Sequence, residues 1–471
     1  MLDSSSPSSV AIAGGGLAGL AAACALSDAG FRVTLLEQRP FLGGRASSYE
    51  HPGTGEVVDN CQHVLFRCCT NLVSFYERIG AADRIRWYDQ MTFLEPGGRA
   101  SRMYASPLPA PLHTMPSFFK FPFLASRDKL AIARAISSLV FSPPQNDTRR
   151  FLDWARALGQ TETALHRFWE PVLVSALNED LDRVSVFAAA KVVRDSMKSP
   201  TARLMGIPTA PLTEIYSAAG DYIRARGGNL LFRTSVEQVR PQTPQLTLQV
   251  AGREEAFDYL VAALNFDALD RILPGLPESQ PLRQQIAQFE TSPITGVHLW
   301  FDRHITDLDH AVLLDRTVQW MFNKSRILAR FSQPAGSSEE AGSYLELVIS
   351  SSKTLVEKSR AEILDLALAE LREFFPAARE GNVLKSTVIK EVKATFSARP
   401  GIEAFRPSAA TPWPNVFLAG DWTNTGWPAT MEGAVRSGYI AADAILKSRG
   451  IHRPSFLVPD LPATGLMRWF G

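Results

Sequence analysis

The chain has 471 residues, 45% of them hydrophobic and 21% charged, and its 49 Lys and Arg against 48 Asp and Glu leave a net charge of +1. That length holds two or three domains around a large core. The even charge balance excludes the basic footprint of a nucleic-acid binder, and the composition is that of an ordinary globular protein.

Residues 1–9 (MLDSSSPSS) read as a short disordered lead. The lead has no Lys or Arg and carries Asp3, so the apolar run Ala11–Leu26 makes a poor signal peptide. Val10–Ala13 reads as a buried strand, and Gly14-x-Gly16-x-x-Gly19 as a tight turn opening a helix to about Ala29, where Gly30 stops it. Phe31–Leu36 is the next parallel strand, ending in Glu37. Gly14 lets the chain turn, Gly16 lets backbone approach a pyrophosphate, and Gly19 lets helix and strand pack closely. Leu17 and Ala18 lie in the first helical turn, whose unpaired N–H groups favour that anion. Glu37 follows Gly19 by 18 positions, close to the roughly 20 expected of a carboxylate that grips a ribose hydroxyl and repels a 2′-phosphate. NADP is disfavoured; FAD and NAD both remain open at this point.

Gly43-Gly44-Arg45 can carry backbone and a cation past a phosphate. EVVDNCQHVLF then reads as a strand running into a loop that places Asp59, Gln62 and His63 at a site mouth. Cys24, Cys61, Cys68 and Cys69 form no C-x-x-C pair and read as reduced structural thiols of a cytoplasmic protein. Residues 107–124, PLPAPLHTMPSFFKFPFL, are apolar yet too broken by proline for a membrane helix. They suit a loop over a substrate tunnel or a patch that dips into a bilayer surface. Helical spacing over 128–140 and 149–196 suggests a helical layer over a site, in which Glu170 is either another candidate acid or, with Pro171, the end of a helix.

After Gly227-Gly228, a strand from Asn229 carries Val236 near its end, as a cofactor-side position, and residues 257–266 form another strand of the first sheet. TGVHLWFDR, VQWMFN and YLELVIS read as antiparallel strands, and 355–374 as an amphipathic helix. Near the C-terminus, Val416–Ala419 is a strand, Gly420-Asp421 a turn, and a helix opens at Met431, Glu432 and Ala434. A second strand–turn–helix about 400 residues after the first must return to the same cofactor, and that is a flavin arrangement. Asp421 can bond a ribityl chain, while the helix end favours the negative charge that develops on reduced flavin.

The pairing of GGGLAGL…E with LAGDW…TMEGAVRSG resembles the superfamily of amine oxidases and carotenoid desaturases. DNCQHVL, LPAPLH, FWEPVLVSALN, HLWFDR, YLELVIS and KATFSARPG narrow the resemblance to its squalene-associated branch, the hydroxysqualene dehydroxylases of bacterial hopanoid synthesis. That branch usually carries glycine where this chain has Cys61. The resemblance implies an α/β fold, a Rossmann-type FAD-binding domain (10–106, 215–265 and 400–450) interleaved with an α+β substrate domain (107–214 and 266–399), and a tail over 451–471. It implies an FAD-dependent enzyme that turns 12-hydroxysqualene into squalene, near squalene-synthase-like enzymes and at the inner membrane face. Protonation, loss of water and hydride delivery would need an acid and apolar, aromatic walls. His63 is the expected acid with Asp59 orienting it, and Gln62, Trp169, Trp320, Phe322 and Trp427 are the expected pocket. No second G-x-G-x-x-G appears, so the reductant must come from outside. The rival readings are a carotenoid or phytoene desaturase, a flavin amine oxidase and a non-catalytic isoprenoid carrier.

Overall fold

The computed structural model describes residues 7–328 and 342–469; residues 1–6 of the expected disordered lead lie outside it. Five parallel strands form the first sheet, in the order Asn229–Phe232, Arg32–Glu37, Ser9–Ala13, Tyr259–Ala262 and Val416–Leu418. The chain leaves and re-enters this sheet, so residues more than 400 positions apart meet where the first and last helices pack on it. The glycine-loop helix Leu17–Asp28 is buried at eleven of its twelve residues. Its Gly and Ala surface lets the C-terminal helix Met431–Ser448 pack so closely that a Cβ on Gly438 would lie 2.2 Å from the Ala18 carbonyl oxygen. A helix apolar all round is a core helix, and this one sits between sheet and helix.

Seven strands form the second sheet, in the order Val383–Phe396, Thr291–Phe301, Tyr344–Ser350, Trp320–Asn323, His310–Leu313, Gln90–Leu94 and Ala100–Tyr104. The three antiparallel strands expected from the sequence all lie here. The hairpin of Gln90–Leu94 and Ala100–Tyr104, expected on the flavin side, pairs with this sheet instead, through Val312 and Leu313. Alternation along the strands gives the sheet two different faces. Val297, Leu347, Met321 and Ala311 pack on Ile363, Ala367 and Leu371 of the helix Arg360–Phe374. Val348, Trp320 and Val312 face the helical layer, with Phe118, Phe121, Phe168 and Trp169.

Three local expectations are corrected. The helix expected from 355 starts at Arg360, because Ser359 and Glu362 close a capping box there. Glu170-Pro171 does not end its helix: Leu165–Val174 runs on in π-helical form, whose shifted hydrogen bonds tolerate the missing proline N–H. The strand after Asn229 breaks at Arg233, whose left-handed φ of 55° turns the chain. Val236 therefore opens a separate strand, Val236–Arg240, of a three-stranded antiparallel sheet rather than closing the first one. All four cysteines are buried and unpaired, and burial pushes the Cys24 thiol up to about 12, as fits inert structural thiols.

Candidate flavin and substrate site

Glycine backbone from two segments meets at the carboxyl ends of the first sheet, where Gly16 bridges to Gly43. Gly14 has φ 105°, and a Cβ on it would lie 2.5 Å from the Ala263 carbonyl oxygen. At Gly16 the nearest obstacle to a Cβ is Gly44 Cα, 3.8 Å away, so the room before it is open. Among the described residues, no side chain caps the helix Leu17–Asp28 and no acid stands in its first turn. Its first N–H groups, Leu17, Ala18 and Gly19 included, are left to an anion. Glu37 lies beside this loop, its Oε2 accepting from Gly15 N at 2.6 Å and its Oε1 from Arg39 N at 2.7 Å. Each oxygen keeps capacity to accept from a ribose hydroxyl. This open glycine cradle with a carboxylate at its rim fits the adenine dinucleotide of FAD.

The far end of the cradle comes from the C-terminal motif. Arg45 reaches Asp421 at 2.6 Å and the Ala394 carbonyl at 2.8 Å. Gly420 N donates to Ser437 Oγ at 2.7 Å, which fixes the turn against the last helix. Buried Arg406 holds the intervening loop by donating to the carbonyls of Asp421, Thr423 and Trp427. Met431 accepts through Sδ from Tyr216 Oη at 3.6 Å, and Ala434 packs partly buried beside it. Glu432 departs from expectation. Its buried carboxylate turns away to cap the helix Thr70–Arg78, accepting from the N–H groups of Asn71 at 3.2 Å and Leu72 at 2.7 Å. Only its backbone can serve a flavin.

The segment after the cradle leads directly to a buried polar cluster. Asn60 N donates to the Ser47 carbonyl at 2.9 Å, and Asp59 accepts from Ser48 Oγ. Lys324 Nζ, itself buried, donates to Asp59 Oδ2 and Gln62 Oε1, each at 2.7 Å, and lies 3.3 Å from Glu346 Oε2. Among the described residues, neither oxygen of buried Glu346 meets a partner in full hydrogen-bond geometry, and Lys324 is the cation beside it. Burial pushes its carboxyl up to about 7, against the pull of Lys324. Burial would also raise Asp59, but the Lys324 ammonium and the Ser48 hydroxyl outweigh it and hold that carboxyl below its usual range. Strand register sets Glu346 between His298 and Phe322. His298 Nδ1 meets Tyr344 Oη at 2.9 Å, and burial lowers this imidazole to about 3.

The expected His63–Asp59 pair is not formed. His63 Nδ1 meets the Cys61 carbonyl oxygen at 2.8 Å, and Asp59 is taken by Ser48, Lys324 and the Leu212 N–H. Burial lowers the His63 pKa, so this side chain is a neutral imidazole at neutral pH. Trp320 and Phe322 do lie on the site face, stacked at 5.6 Å, with Trp320 Nε1 on Ser175 Oγ. Trp169 is a core residue of the helical layer, bonded to Gln160 and packed on Phe151 and Phe168. Trp427 belongs to the core beside the glycine helix, between the cations of Lys191 and Arg436. Glu170 lies with His166, 2.9 Å away, on a cavity of about 810 Å³ that none of the other expected flavin or catalytic residues lines.

Sequence reasoning missed Lys324, Glu346, His298 and Arg406. A signal existed for the first three: each is the lone charged or imidazole side chain in or just after an apolar strand, in MFNK, YLELVIS and TGVHLWF.

The profile of a family described as flavin containing amine oxidoreductase matches residues 17–446. The chain is 30% identical to a probable zeta-carotene desaturase of Synechococcus elongatus, over 94% of this chain and 99% of that protein. It is 27% identical to the 15-cis-phytoene desaturase of the same organism, over 93% and 95%. Among solved structures, putrescine oxidase bound to putrescine aligns with a TM-score of 0.71 at 18% identity, covering 94% of this chain and 99% of that one. An oxidoreductase from Methanosarcina mazei aligns with a TM-score of 0.70 at 17% identity, covering 91% and 98%.

Proposed function

Because the chain belongs to the flavin-containing amine oxidoreductases and is an FAD-dependent oxidoreductase, we propose that it reductively removes an allylic hydroxyl from a long isoprenoid, 12-hydroxysqualene being the substrate to test. The observation that carries this reading is the buried, protonatable Glu346 beside Lys324 on an aromatic sheet face. An allylic hydroxyl leaves as water only once it is protonated, and Glu346 holds a proton near neutral pH. When Glu346 gives that proton up, its carboxylate is left 3.3 Å from the Lys324 ammonium, which lowers the cost of the transfer. Asp59 keeps Lys324 charged throughout, and Gln62 fixes its direction. The stacked faces of Trp320 and Phe322 suit the allyl cation left when water departs. Bound FAD supplies, in its reduced form, the hydride that converts this cation to a C–H bond. Cys61, Trp320 and Phe322 belong to one buried apolar cluster, which would exclude bulk water from the cation.

A second reading, desaturation of a carotenoid-like polyene, draws support from the names of the curated relatives. It runs hydride toward the flavin and needs a base, not an acid, at Glu346. One anaerobic experiment separates them: the dithionite-reduced holoenzyme, freed of excess reductant, is given 12-hydroxysqualene while flavin absorbance and extracted lipids are followed. Reoxidation matched by squalene is the expected result. A flavin that stays reduced, with no squalene, overturns the dehydroxylation reading; reduction of the oxidised enzyme by phytoene then supports the desaturase.

A further inference from the structure

Six of the large apolar side chains exposed on this protein stand on two segments that touch each other. Tyr104, Leu108, Phe119 and Leu130 lie between residues 104 and 130, and Leu466 and Trp469 on the last turn, Gly465–Trp469. The two segments are joined directly. Leu466 N donates to the Ala110 carbonyl at 2.8 Å, and Met467 is buried in the same cluster as Ala110 and Phe118. Lys129 Nζ donates to the Phe119 carbonyl at 2.7 Å, which ties the helix Ser126–Phe141 to the same region. Trp469 is 81% exposed and Leu130 65%, and it is the grouping of such side chains on joined segments that marks an interaction surface.

The exposed charges carried by these two segments are of one sign. Between residues 100 and 140 the exposed charges are Arg102, Lys120, Arg127 and Arg134, and exposed Arg468 adds to them from the tail. The one acid of that stretch, Asp128, is buried, bonding Ala125 N at 2.9 Å and Thr161 Oγ1 at 2.6 Å. Apolar tips within a basic rim complement an anionic lipid surface, where Trp and Tyr seat at headgroup depth and cations meet phosphate. No helix among the described residues is long and apolar enough to cross a membrane. The cluster beneath the patch continues inward to Cys61, Trp320 and Phe322, so one body of apolar side chains underlies both the surface and the site.

We propose that the face built from residues 102–134 and the Gly465–Trp469 turn docks onto an anionic membrane surface, with Phe119, Leu130, Leu466 and Trp469 entering the headgroup layer. This surface stands whichever isoprenoid reaction the site performs. The test is sedimentation of the full-length holoenzyme with phosphatidylcholine vesicles made with and without phosphatidylglycerol, at low and high salt. Holoenzyme should pellet with the phosphatidylglycerol vesicles and be partly released by salt. Each cation near an anionic surface contributes about fivefold to binding, so Lys120→Glu with Arg127→Glu should weaken binding at least about tenfold. Leu130→Ser with Trp469→Ser should abolish the salt-resistant fraction. Both variants should keep their bound flavin and their turnover of detergent-dispersed substrate, because none of these side chains lies in the cradle or the buried cluster. Holoenzyme that stays in the supernatant with both vesicle types overturns the proposal, as does pelleting unchanged in both variants. A concentration-dependent dimer abolished by Trp469→Ser, without vesicle binding, would assign the face to a second copy of the chain and also overturn it.

Discussion

Glu346→Gln separates a proton-holding role from a structural one, because the two predict opposite signs. In the folded protein the Glu346 carboxyl lies at about 7, against 4.5 for a free glutamate. An acid whose folded pKa is the higher one binds its proton more tightly when folded. It therefore takes nothing from stability below pH 4.5, and stability falls as pH rises from 4.5 through 7. The full cost above pH 7 is on the order of 3 kcal/mol. Glutamine keeps the shape and never ionises, so Glu346→Gln should match wild type near pH 5 and unfold at a higher temperature near pH 8. Lys324 keeps Asp59 and Gln62 as partners, so the substitution leaves no orphaned cation. Activity should move the other way. A positioned general acid contributes about 10²–10⁴-fold, or roughly 3–5 kcal/mol of barrier. Single-turnover reoxidation of reduced enzyme by 12-hydroxysqualene should slow by that factor. The wild-type rate should fall tenfold per pH unit above about 7, and the variant should lose this dependence. A variant that reoxidises at the wild-type rate with the wild-type pH profile would refute the assignment of the proton to Glu346. A variant both slow and destabilised at pH 8 would show a packing role instead.

Lys324→Met leaves Asp59 and Glu346 buried without their shared cation, and should cost about 3–5 kcal/mol at neutral pH, read as a lower thermal midpoint. That loss should shrink toward pH 5 as the carboxylates take up protons; equal stability at pH 7 would contradict the ion-pair account. Gly16→Ala should fold as the apoprotein, since Gly16 has φ −74° and its Cβ would meet nothing nearer than 3.8 Å. It should still copurify with far less flavin, because that room is where the pyrophosphate approaches; an unchanged flavin-to-protein absorbance ratio would argue against the cradle. Glu432→Gln should lower stability by about 1–3 kcal/mol through the lost helix cap while leaving the flavin spectrum unaltered, and a shifted spectrum would restore its side chain to the cofactor site.

The cofactor half of the molecule is legible in sequence because its demands are local. A close approach of helix, strand and phosphate needs small residues at fixed spacing, and Gly14, Gly16, Gly19 and Glu37 meet it within 24 residues. The second-sheet strands are legible for a similar reason: TGVHLWF, WMFN and YLELVIS keep their β-rich apolar character regardless of neighbours. The buried cluster has no such local signature. Asp59, Lys324 and Glu346 come from three separate strands or their ends, and only the pairing of Trp320–Asn323 with Tyr344–Ser350 brings the last two together. The misplacement of Val236 has the same origin, since nothing in NLLFRTSVEQV marks Arg233 as the residue that turns left-handed. Trp169 and Trp427 were indistinguishable by type from Trp320; what separates them is the layer each helix or loop packs into.

The interleaved strand order also governs when this protein can exist as a folded object. The first sheet lacks its Val416–Leu418 edge, and the glycine helix lacks its cover from Met431–Ser448, until the ribosome has added more than 400 residues. During that interval an Ala- and Leu-rich helix meant to be buried on every side has one flank without its partner. Apolar surface left uncovered in this way makes a chain prone to misassociation until its later segments arrive. A chain stopped before residue 416 would lack both Asp421 and the last helix, leaving the flavin end of the cradle unbuilt however sound its first 40 residues. Building the flavin end of the cradle thus depends on segments made late in synthesis.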